Sequence, residues 1–536
     1  MRIQPFVTVP SVDGLDAADQ DVLSGLVRQL NAKRPRNRLR NLYADSKQVL
    51  VDLGIALPPS FRDVGAAIGW PGKAVNTLSR RNILEGFDAT AASPADLGLV
   101  ELFEGNRLEA KAPQAHTSAL INSCSFGFVT NGDAAAGQPE AMITTRSALD
   151  ATGTWDAYSG TLENALEVTA RDKNGAPVSM VLHFPGRYVA IEWDGKRWRA
   201  FERRHAFGML AEALPYQPDL DRPFGRSRIT RSVMYLTDAM VRTLLRTEIG
   251  AEFFNAPQRY ALGADEEAFT DDNGDPIPSW TVMLGRLLLL GRDEEGELPT
   301  VGQFPQQSME PNMAQQRGLA MAFAGEMSLP VGSLGIVQDN PESAEAITAR
   351  NEELGIEIEY WQRATLGPAW KRLAQKGLQL IDNSPASVEA YKTISAQWGS
   401  WSTPSEASQA QASLARVQAN PRLAGTDVEL ERQGFTRNQI DRIKAQWARE
   451  DSRASLTALT TSAAARGATA PAQPSDPNAE ATALKAKFDA LGVAVRAGVD
   501  PQDAAARLGL EGIEFTGAVP VSLRLPEADA AQLEEA

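Results

Sequence analysis

The sequence predicts an α+β fold that is mainly helical, and three observations predict it. Apolar residues recur at helical spacing through most of the first 60 residues and again over 226–254. Between these segments, residues 140–205 alternate apolar and polar side chains and are broken by Asn174-Gly175 and Asp194-Gly195, which are typical hairpin turns. A further pair of helical patterns follows 256–307, a segment that predicts short strands.

Composition limits the class of protein. A chain of 536 residues is too long for one core and predicts about two to four domains. Apolar residues make up 43% and charged residues 23%, as in ordinary globular proteins. The net charge of -15 argues against a general nucleic-acid binder, which carries a basic surface. It remains compatible with a protein past which DNA slides without sticking.

Cysteine usage and hydropathy indicate the compartment. Cys124 is the sole cysteine, so the chain has no intrachain disulfide and no thiolate metal cluster. The first 20 residues lack the basic region and apolar run of a signal peptide, and no window approaches the roughly 18 apolar residues of a membrane span. We expect a soluble product, made in the cytoplasm, with no membrane partner.

The N-terminal region is predicted to be helical, with a break at Pro35. It carries a basic cluster that either contacts phosphate or an acidic partner subunit, or forms a solvated helix face. The cluster comprises Lys33, Arg34, Arg36, Arg38 and Arg40. Farther on, Trp70-Pro71-Gly72 predicts a turn before a helix from Ala74 to Arg81.

The antiparallel meander is assigned to four runs, ALEVTAR, VSMVLHF, YVAIEW and RWRAFERR. From residue 226 an apolar stripe predicts one long helix, ending near Phe254. The stripe comprises Ile229, Val233, Leu236, Met240 and Leu244. A second helix is expected from Pro311 to Met327, with proline tolerated in its first turn.

The segment LPVGSLGIVQDNPESAEA, residues 329–346, predicts a glycine-punctuated loop. Asn340 is a good N-cap, Pro341 suits the first helical position and Glu342 favours the positive end of the helix dipole. The helix that follows is expected to reach about Gln375 and to bend at Gly367-Pro368. Further helices begin after Thr403. Residues 460–483 predict a flexible linker, and 484–536 a C-terminal module with helices and a small strand pattern.

Motifs for catalysis are lacking in the sequence. Gly69 to Ala74 fails as a phosphate-binding loop because the required first glycine and the final Ser or Thr are both absent. The spacing of the three histidines, His116, His183 and His205, does not match that of metal ligands on a helix. Cys124 lies in no recognisable catalytic motif. The acidic cluster Asp271, Asp272 and Asp275 lacks calcium-loop spacing. We therefore expect no enzyme, no cofactor and no metal.

Several segments occur in an order that resembles one family. They are 52–87 (DLGIALPPSFRDVGAAIGWPGKAVNTLSRRNILEGF), 223–239 (PFGRSRITRSVMYLTDA), 304–347 (beginning FPQQSMEPNMAQQRGLAMAFAGEM) and 496–527. In this collinear set the chain resembles portal proteins of long-tailed double-stranded DNA phages, especially actinobacteriophages. The resemblance implies a portal fold with wing, stem, clip and crown, assembled as a ring.

The resemblance also assigns boundaries to these parts. It implies a wing at 1–224, a first stem helix at 225–255, a clip at 256–308, a second stem helix at 309–330, a tunnel loop with a long wing helix at 331–402, and crown helices at 403–459. Such proteins form dodecameric rings at one capsid vertex of the virion, where DNA enters and leaves. The partners implied are double-stranded DNA, the terminase large subunit, the head-tail adaptor, and the major capsid and scaffold proteins.

The resemblance places the tunnel loop between Gly335 and Ser343. We expect Val337, Gln338, Asp339, Asn340, Pro341 and Glu342 to approach DNA phosphates through polar contacts, on hinges at Gly332 and Gly335. Acidic and amide side chains would let DNA slide, whereas Lys and Arg contacts would brake it. Asp271, Asp272 and Asp275 are the candidate contact of the clip tip with adaptor or motor.

Two other functions are compatible with parts of the sequence. A packaging or maturation enzyme would need a nucleotide or nucleophile motif, which the sequence lacks. A non-catalytic intracellular scaffold or adaptor would explain the missing chemistry but not the collinear segments.

Overall fold

The computed structural model describes residues 11–48, 66–255, 259–263, 299–303, 308–335, 344–401, 406–435, 437–467, 484–485, 487–492 and 500–510. It mixes helices with strands and is about 52% helical, in agreement with the predicted mainly helical α+β class. The chain divides into two compact units, Met1–Thr403 and Pro404–Ala536.

The first unit contains most of the regular structure. Its helices are α1 (Ala17–Ala44), α2 (Trp70–Ser79), α3 (Leu99–Gly105), α4 (Leu108–Asn122), α5 (Arg231–Asn255), α6 (Glu310–Glu326), α7 (Ala344–Trp361), α8 (Gly367–Ile381) and α9 (Pro385–Tyr391). Its strands are β1 (Val12–Asp13), β2 (Leu84–Ala89), β3 (Cys124–Asn131), β4 (Ala141–Ser147), β5 (Ala151–Asp156), β6 (Thr161–Arg171), β7 (Pro177–Phe184), β8 (Arg187–Trp193), β9 (Trp198–Arg204), β10 (Ala211–Pro215), β11 (Arg259–Leu262), β12 (Thr300–Gln303) and β13 (Ile394–Trp398).

Helix α1 runs through Pro35, so the predicted break is wrong. Asp16 caps the helix by accepting a hydrogen bond from the Asp19 amide. Buried side chains lie both before and after the proline, among them Leu30 and Asn37. Packing on both sides of Pro35 therefore offsets the roughly 3 kcal/mol that an internal proline costs a helix.

The predicted meander is confirmed as β6-β7-β8-β9, extended to a six-stranded sheet in the order β1-β9-β8-β7-β6-β5. All its pairs are antiparallel except β1 with β9. The turn glycines Gly175 and Gly195 have φ of 80° and 95°, the left-handed conformation that favours glycine. Leucines of α1 pack on one face of this sheet.

A second, three-stranded sheet of order β10-β3-β4 lies at the centre of the unit. Helix α8 packs so closely on β3 that a Cβ at Gly127 would lie 2.5 Å from Leu373. The largest hydrophobic cluster joins this sheet to α2, α4, α8 and parts of α5, α6 and α7. A further two-stranded sheet pairs β13 with β2.

The segment Trp70-Pro71-Gly72 forms the first turn of α2, which corrects the predicted turn before the helix. Pro71 lies where a missing amide costs nothing. A Cβ at Gly72 would lie 2.4 Å from the carbonyl oxygen of Ala44, so glycine is required for α2 to approach the end of α1.

Helices α5 and α6 form a packed hairpin. Helix α5 begins at Arg231 rather than at Arg226 as predicted, because Thr230 caps it by accepting from the Val233 amide. Helix α6 matches its prediction to within one residue at each end. Strands β11 and β12 pair antiparallel in the predicted insertion, and residues 264–298, including the predicted strand TVMLGRLLLLG, lie outside the described residues.

The predicted bend after α7 is a π-helical turn, Gln362–Leu366, in which the Gly367 amide donates to the Gln362 carbonyl. A Cβ at Gly367 would lie 2.8 Å from that oxygen, so only glycine fits. Helix α8 then continues to Ile381, beyond the predicted end at Gln375.

The second unit contains helices α10 (Glu406–Ala419), α11 (Asp427–Arg432), α12 (Arg437–Gly467) and α13 (Pro501–Arg507). Helix α12 continues through 460–467, which corrects the first part of the predicted flexible linker. Arg416 binds the buried carboxylate of Glu429 through two hydrogen bonds of 3.0 and 2.9 Å. The strand pattern predicted after residue 511 lies outside the described residues.

Candidate functional site at the base of the helical hairpin

The structure describes two of the residues predicted to form functional sites. Gly332 and Gly335 are described. The predicted tunnel-loop residues and the acidic cluster lie outside the described residues: Val337, Gln338, Asp339, Asn340, Pro341, Glu342, Asp271, Asp272 and Asp275. The site is therefore built from the elements that flank the predicted loop.

The chain enters the predicted loop from a 3₁₀ turn, Val331–Leu334, that is anchored in the core. Val331 and Leu334 belong to the largest hydrophobic cluster, and Lys73 Nζ donates a hydrogen bond to the Ser333 carbonyl. Gly332 lies within this turn, whereas Gly335 ends it with φ of 83°. A side chain at Gly335 would meet no atom within 4 Å, so its glycine is required by backbone conformation alone.

A buried network joins the hairpin to α7. Arg228 donates to the Tyr216 hydroxyl at 2.8 Å and to the Met327 carbonyl at 2.9 Å, and it forms an ion pair with Glu357. Tyr216 in turn donates to Glu357. Burial alone would lower the pKa of Arg228, but its interactions with the Tyr216 hydroxyl and the Glu357 carboxylate outweigh burial and raise the pKa. The network fixes the start of α5, the end of α6 and the C-terminal part of α7 relative to one another.

Aromatic side chains pack against the network, with the ring centre of Trp361 5.2 Å from that of Tyr216 and 5.7 Å from that of His116. Trp361 donates its indole N–H to the Pro215 carbonyl at 2.8 Å. His116 is fully buried, its Nδ1 lies 2.9 Å from the Asn82 carbonyl, and its Nε2 accepts from Trp370 at 2.9 Å. Burial lowers the pKa of His116 to about 4, so the imidazole is neutral at physiological pH and has a structural hydrogen-bonding role.

A concave basic site lies on one side of the segment 227–230. We call it the basic cavity; its volume is about 630 Å³. Its cationic lining residues are Lys33, Arg36, Arg40, Arg222, Arg226 and Arg231, against one acidic residue, Asp221. Among the described residues, Arg226 pairs with Asp219, whereas the other five have no carboxylate within ion-pair distance. Arg34 is buried and Arg38 half-buried, so the predicted solvated helix face is wrong.

Two cations of the basic cavity, Lys33 and Arg40, are partly desolvated, whereas the other four are exposed. Lys33 Nζ lies 4.9 Å from the centre of the Phe224 ring, and burial lowers the pKa of Lys33, with a further decrease from Arg36. Burial and then the charge of Arg36 lower the pKa of Arg40 to about 10, which leaves it charged at neutral pH. One terminal nitrogen of Arg40 is buried without a hydrogen-bond partner. Such a group gains most from an incoming anion.

A second concave site, the acidic cavity, has a volume of about 490 Å³ and is also lined by Ser227 and Thr230. Its charged residues are Glu326, Glu353, Glu357 and Arg228. Glu357 is paired with Arg228 as described above, but neither Glu326 nor Glu353 has a Lys or Arg within ion-pair distance in the described part of the chain. Ile356 and Tyr360, which also line it, are 71% and 64% exposed.

The chemistry of the described residues gives no sign of a reactive centre. Burial raises the pKa of Cys124 to about 12, so its thiol stays protonated at neutral pH. Over the residues that the structure describes, no three His, Cys, Asp or Glu side chains come together as a metal site would require. None of the described helices combines the length and apolar character of a membrane span.

Sequence reasoning missed both the buried network and the two cavities. The network joins residues up to 141 positions apart in sequence, which no local pattern links: Tyr216, Arg228, Met327 and Glu357. The basic cluster of α1 was visible as a charge run, but its extension to Arg231 depends on the tertiary fold.

The described fold combines a packed helical hairpin with two charged concave surfaces at the start of its first helix. No known family profile matches the chain. Two curated proteins are similar to the chain in sequence. The portal protein of Mycobacterium phage L5 is 26% identical over 381 residues, 69% of this chain and 76% of the relative. The portal protein of Mycobacterium phage D29 is 25% identical over 386 residues, 70% of this chain and 77% of the relative.

The resemblance to phage portal proteins is thus confirmed, and the chain is similar to them over most of its length. Among solved structures, a chain described as "Neck of native GTA particle computed with C12 symmetry" is 12% identical, with a TM-score of 0.36. The match covers 68% of this chain and 90% of the other.

Proposed function

We propose that this chain is a phage portal protein: its copies assemble as a dodecameric ring at one capsid vertex, through which double-stranded DNA is packaged and ejected. The collinear similarity to two portal proteins over about 70% of the chain carries this proposal. The role is structural and non-catalytic.

In this proposal the parts keep the boundaries that the resemblance implies. Residues 1–224 act as the wing, 225–255 and 309–330 as the stem helices, 256–308 as the clip, 331–402 as tunnel loop and long wing helix, and 403–459 as the crown. The predicted linker at 460–483, whose first residues extend α12 to Gly467, leads to the C-terminal module at 484–536. The packed hairpin of α5 and α6, with paired β11 and β12 next to it, supports the stem and clip assignment.

The tunnel loop is proposed to contact DNA between the two anchored elements that flank it. The 3₁₀ turn before it is fixed by Val331 and Leu334, and α7 after it is fixed by Glu357. Motion of residues 336–343 then leaves the core undisturbed, with Gly335 as the pivot and Gly332 as part of the anchored turn. Polar and acidic side chains at 338–342 would contact phosphates weakly and allow sliding.

The clip tip around Asp271, Asp272 and Asp275 is proposed to contact the terminase large subunit during packaging and the head-tail adaptor afterwards. Capsid and scaffold proteins would contact the ring at the vertex of the virion. These partners follow from the portal role rather than from any surface described above.

Electron microscopy of the purified full chain in negative stain tests the central claim. We expect rings with a central channel. Monomers alone, across salt and protein concentration, would contradict a portal role, and intrinsic ATP hydrolysis would favour a packaging enzyme instead.

Deletion of Val337 to Pro341 tests the loop separately. We expect rings to form as in the wild type, because both flanking elements are anchored without the loop, while DNA packaging or retention falls. If rings no longer form, the loop is a subunit-packing element rather than a DNA contact.

A further inference from the structure

The basic and acidic cavities are two surfaces of opposite charge on one unit. Both are lined by Ser227 and Thr230, so this short segment separates them. Within one copy the two charge sets do not neutralise each other: five cations of the basic cavity and two carboxylates of the acidic cavity have no opposite charge within ion-pair distance among the described residues. A surface that is complementary to another surface of the same chain is suited to contact between copies.

We propose that the acidic cavity of one copy contacts the basic cavity of the next, so that copies associate head to tail through this pair of surfaces. The inference rests on the proposed ring, and it names the surfaces that close it. Head-to-tail contacts generate closed rings when their rotation closes.

Charge complementarity identifies a second copy as the occupant. Each chain carries a net charge of -15, so copies repel one another at long range and need a local attraction that fixes their orientation. A concave cluster of six cations provides that attraction. Lys33 and Arg40 are partly desolvated, and such a cation gains more from an opposing carboxylate than a fully hydrated one does.

Apolar contacts would accompany the ion pairs. Ile356 and Tyr360 stand one helical turn apart on α7 beside Glu353, and both are mostly exposed. On the basic side, Pro223 and the half-buried Phe224 line the cavity together with the cations. Protein interfaces commonly bury a small apolar centre within a polar rim. Exposed aromatic and aliphatic side chains flanked by charges match that composition.

Charge reversal tests the contact in the full-length protein, with assembly measured by mass photometry and negative-stain microscopy. One variant combines Arg36→Glu with Arg231→Glu, and the other combines Glu326→Lys with Glu353→Lys. All four side chains are exposed in the single chain, so we expect both variants to fold as the wild type does. We expect each variant to need at least about tenfold more protein to assemble than the wild type, because like charges now meet.

Mixing the two variants gives the sharpest outcome. In an equimolar mixture the intact carboxylates of one variant meet the intact arginines of the other, and the reversed lysines meet the reversed glutamates. Rings should return in the mixture and contain both variants. The control, Lys196→Glu with Arg203→Glu, lowers the net charge by as much as the arginine variant does, at exposed positions outside both cavities, and should assemble like the wild type.

The outcomes separate the two proposals. If the reversed variants assemble as the wild type does, or if mixing fails to restore assembly, the contact is wrong while the ring stands. A two-fold dimer as the largest wild-type species would overturn the head-to-tail contact. If the wild type forms no oligomer at all, the proposed function fails together with this inference.

Discussion

Arg228 is only 5% exposed and carries a full positive charge, so its stability depends on the groups around it. Tyr216, Met327 and Glu357 provide those groups from three separate elements. Removing one partner of a buried ion pair leaves the other charge uncompensated in a medium of low dielectric constant. The network therefore stabilises the junction strongly even if its net contribution relative to apolar residues is small.

We expect Glu357→Ala to destabilise the protein by about 3–5 kcal/mol, because Arg228 stays buried without its carboxylate. Glu352→Ala on the same helix is the matched control, since Glu352 is exposed, and we expect its effect to remain within about 0.5 kcal/mol. Urea unfolding followed by tryptophan fluorescence measures both, and equal effects would contradict a structural role for the network.

His116 should make stability depend on pH. Its pKa is lowered by burial to about 4, below the value near 6.5 of an unfolded chain. The stabilisation is complete above about pH 6.5 and falls by about 3 kcal/mol as pH falls toward 4, because only the unfolded state takes up the proton in that window. Protonation at Nε2 would also break the hydrogen bond that Trp370 donates.

Comparison of the wild type with His116→Gln isolates this term from the titrating carboxylates. The variant should be less stable at neutral pH, but its free energy of unfolding should fall less between about pH 6.5 and about pH 4.5 than that of the wild type. Identical pH slopes in the two proteins would show that His116 does not titrate as described.

At the scale of elements, local patterns predicted the helices and strands whose boundaries are set locally. Helix α6 has a proline in its first turn, and the meander strands are separated by glycine turns, and both matched their predictions. The predictions for Pro35 and for Trp70-Pro71-Gly72 were wrong because tertiary packing decided there. Leu30 and Asn37 are buried on either side of Pro35, and Gly72 is in close approach to Ala44.

The candidate site was less accessible to sequence reasoning than the fold. The charge run on α1 was read from the sequence, but its role depends on Arg231, which lies on an element about 200 positions later. Ion pairs between elements leave no periodic signal in one sequence. The predicted loop and clip residues lie outside the described residues, so their roles stay predictions.

The helical hairpin should depend on its anchoring aromatic pair. Phe323 on α6 is fully buried and its ring centre lies 5.2 Å from that of Trp70 on α2. We expect Phe323→Ala to destabilise the protein by about 3–5 kcal/mol through lost burial and the cavity left behind. Met321→Ala, two positions away and 52% exposed, should have a small effect in the same unfolding measurement. A small loss for both would mean that the hairpin is held elsewhere.

At the scale of the whole molecule, the chain divides at Thr403 and Pro404. The three hydrophobic clusters of the first unit contain no described residue beyond this boundary, and the small cluster of Leu491, Ala504, Ala505 and Leu510 belongs to the second unit alone. The predicted crown section begins at the same place in the chain, at residue 403. The proposed head-to-tail surfaces both belong to the first unit.

We therefore expect a chain that ends at Thr403 to fold and to assemble without the second unit. Its melting temperature, followed by circular dichroism, should lie within a few degrees of the full-length value, because the three hydrophobic clusters of the first unit stay complete. A chain that ends at Ile381 is the matched control, since it also loses β13, the partner of β2, and the buried Tyr391 and Ile394. The shorter chain should unfold at a much lower temperature or aggregate, whereas loss of cooperative melting in both would place the boundary of the first unit beyond Thr403.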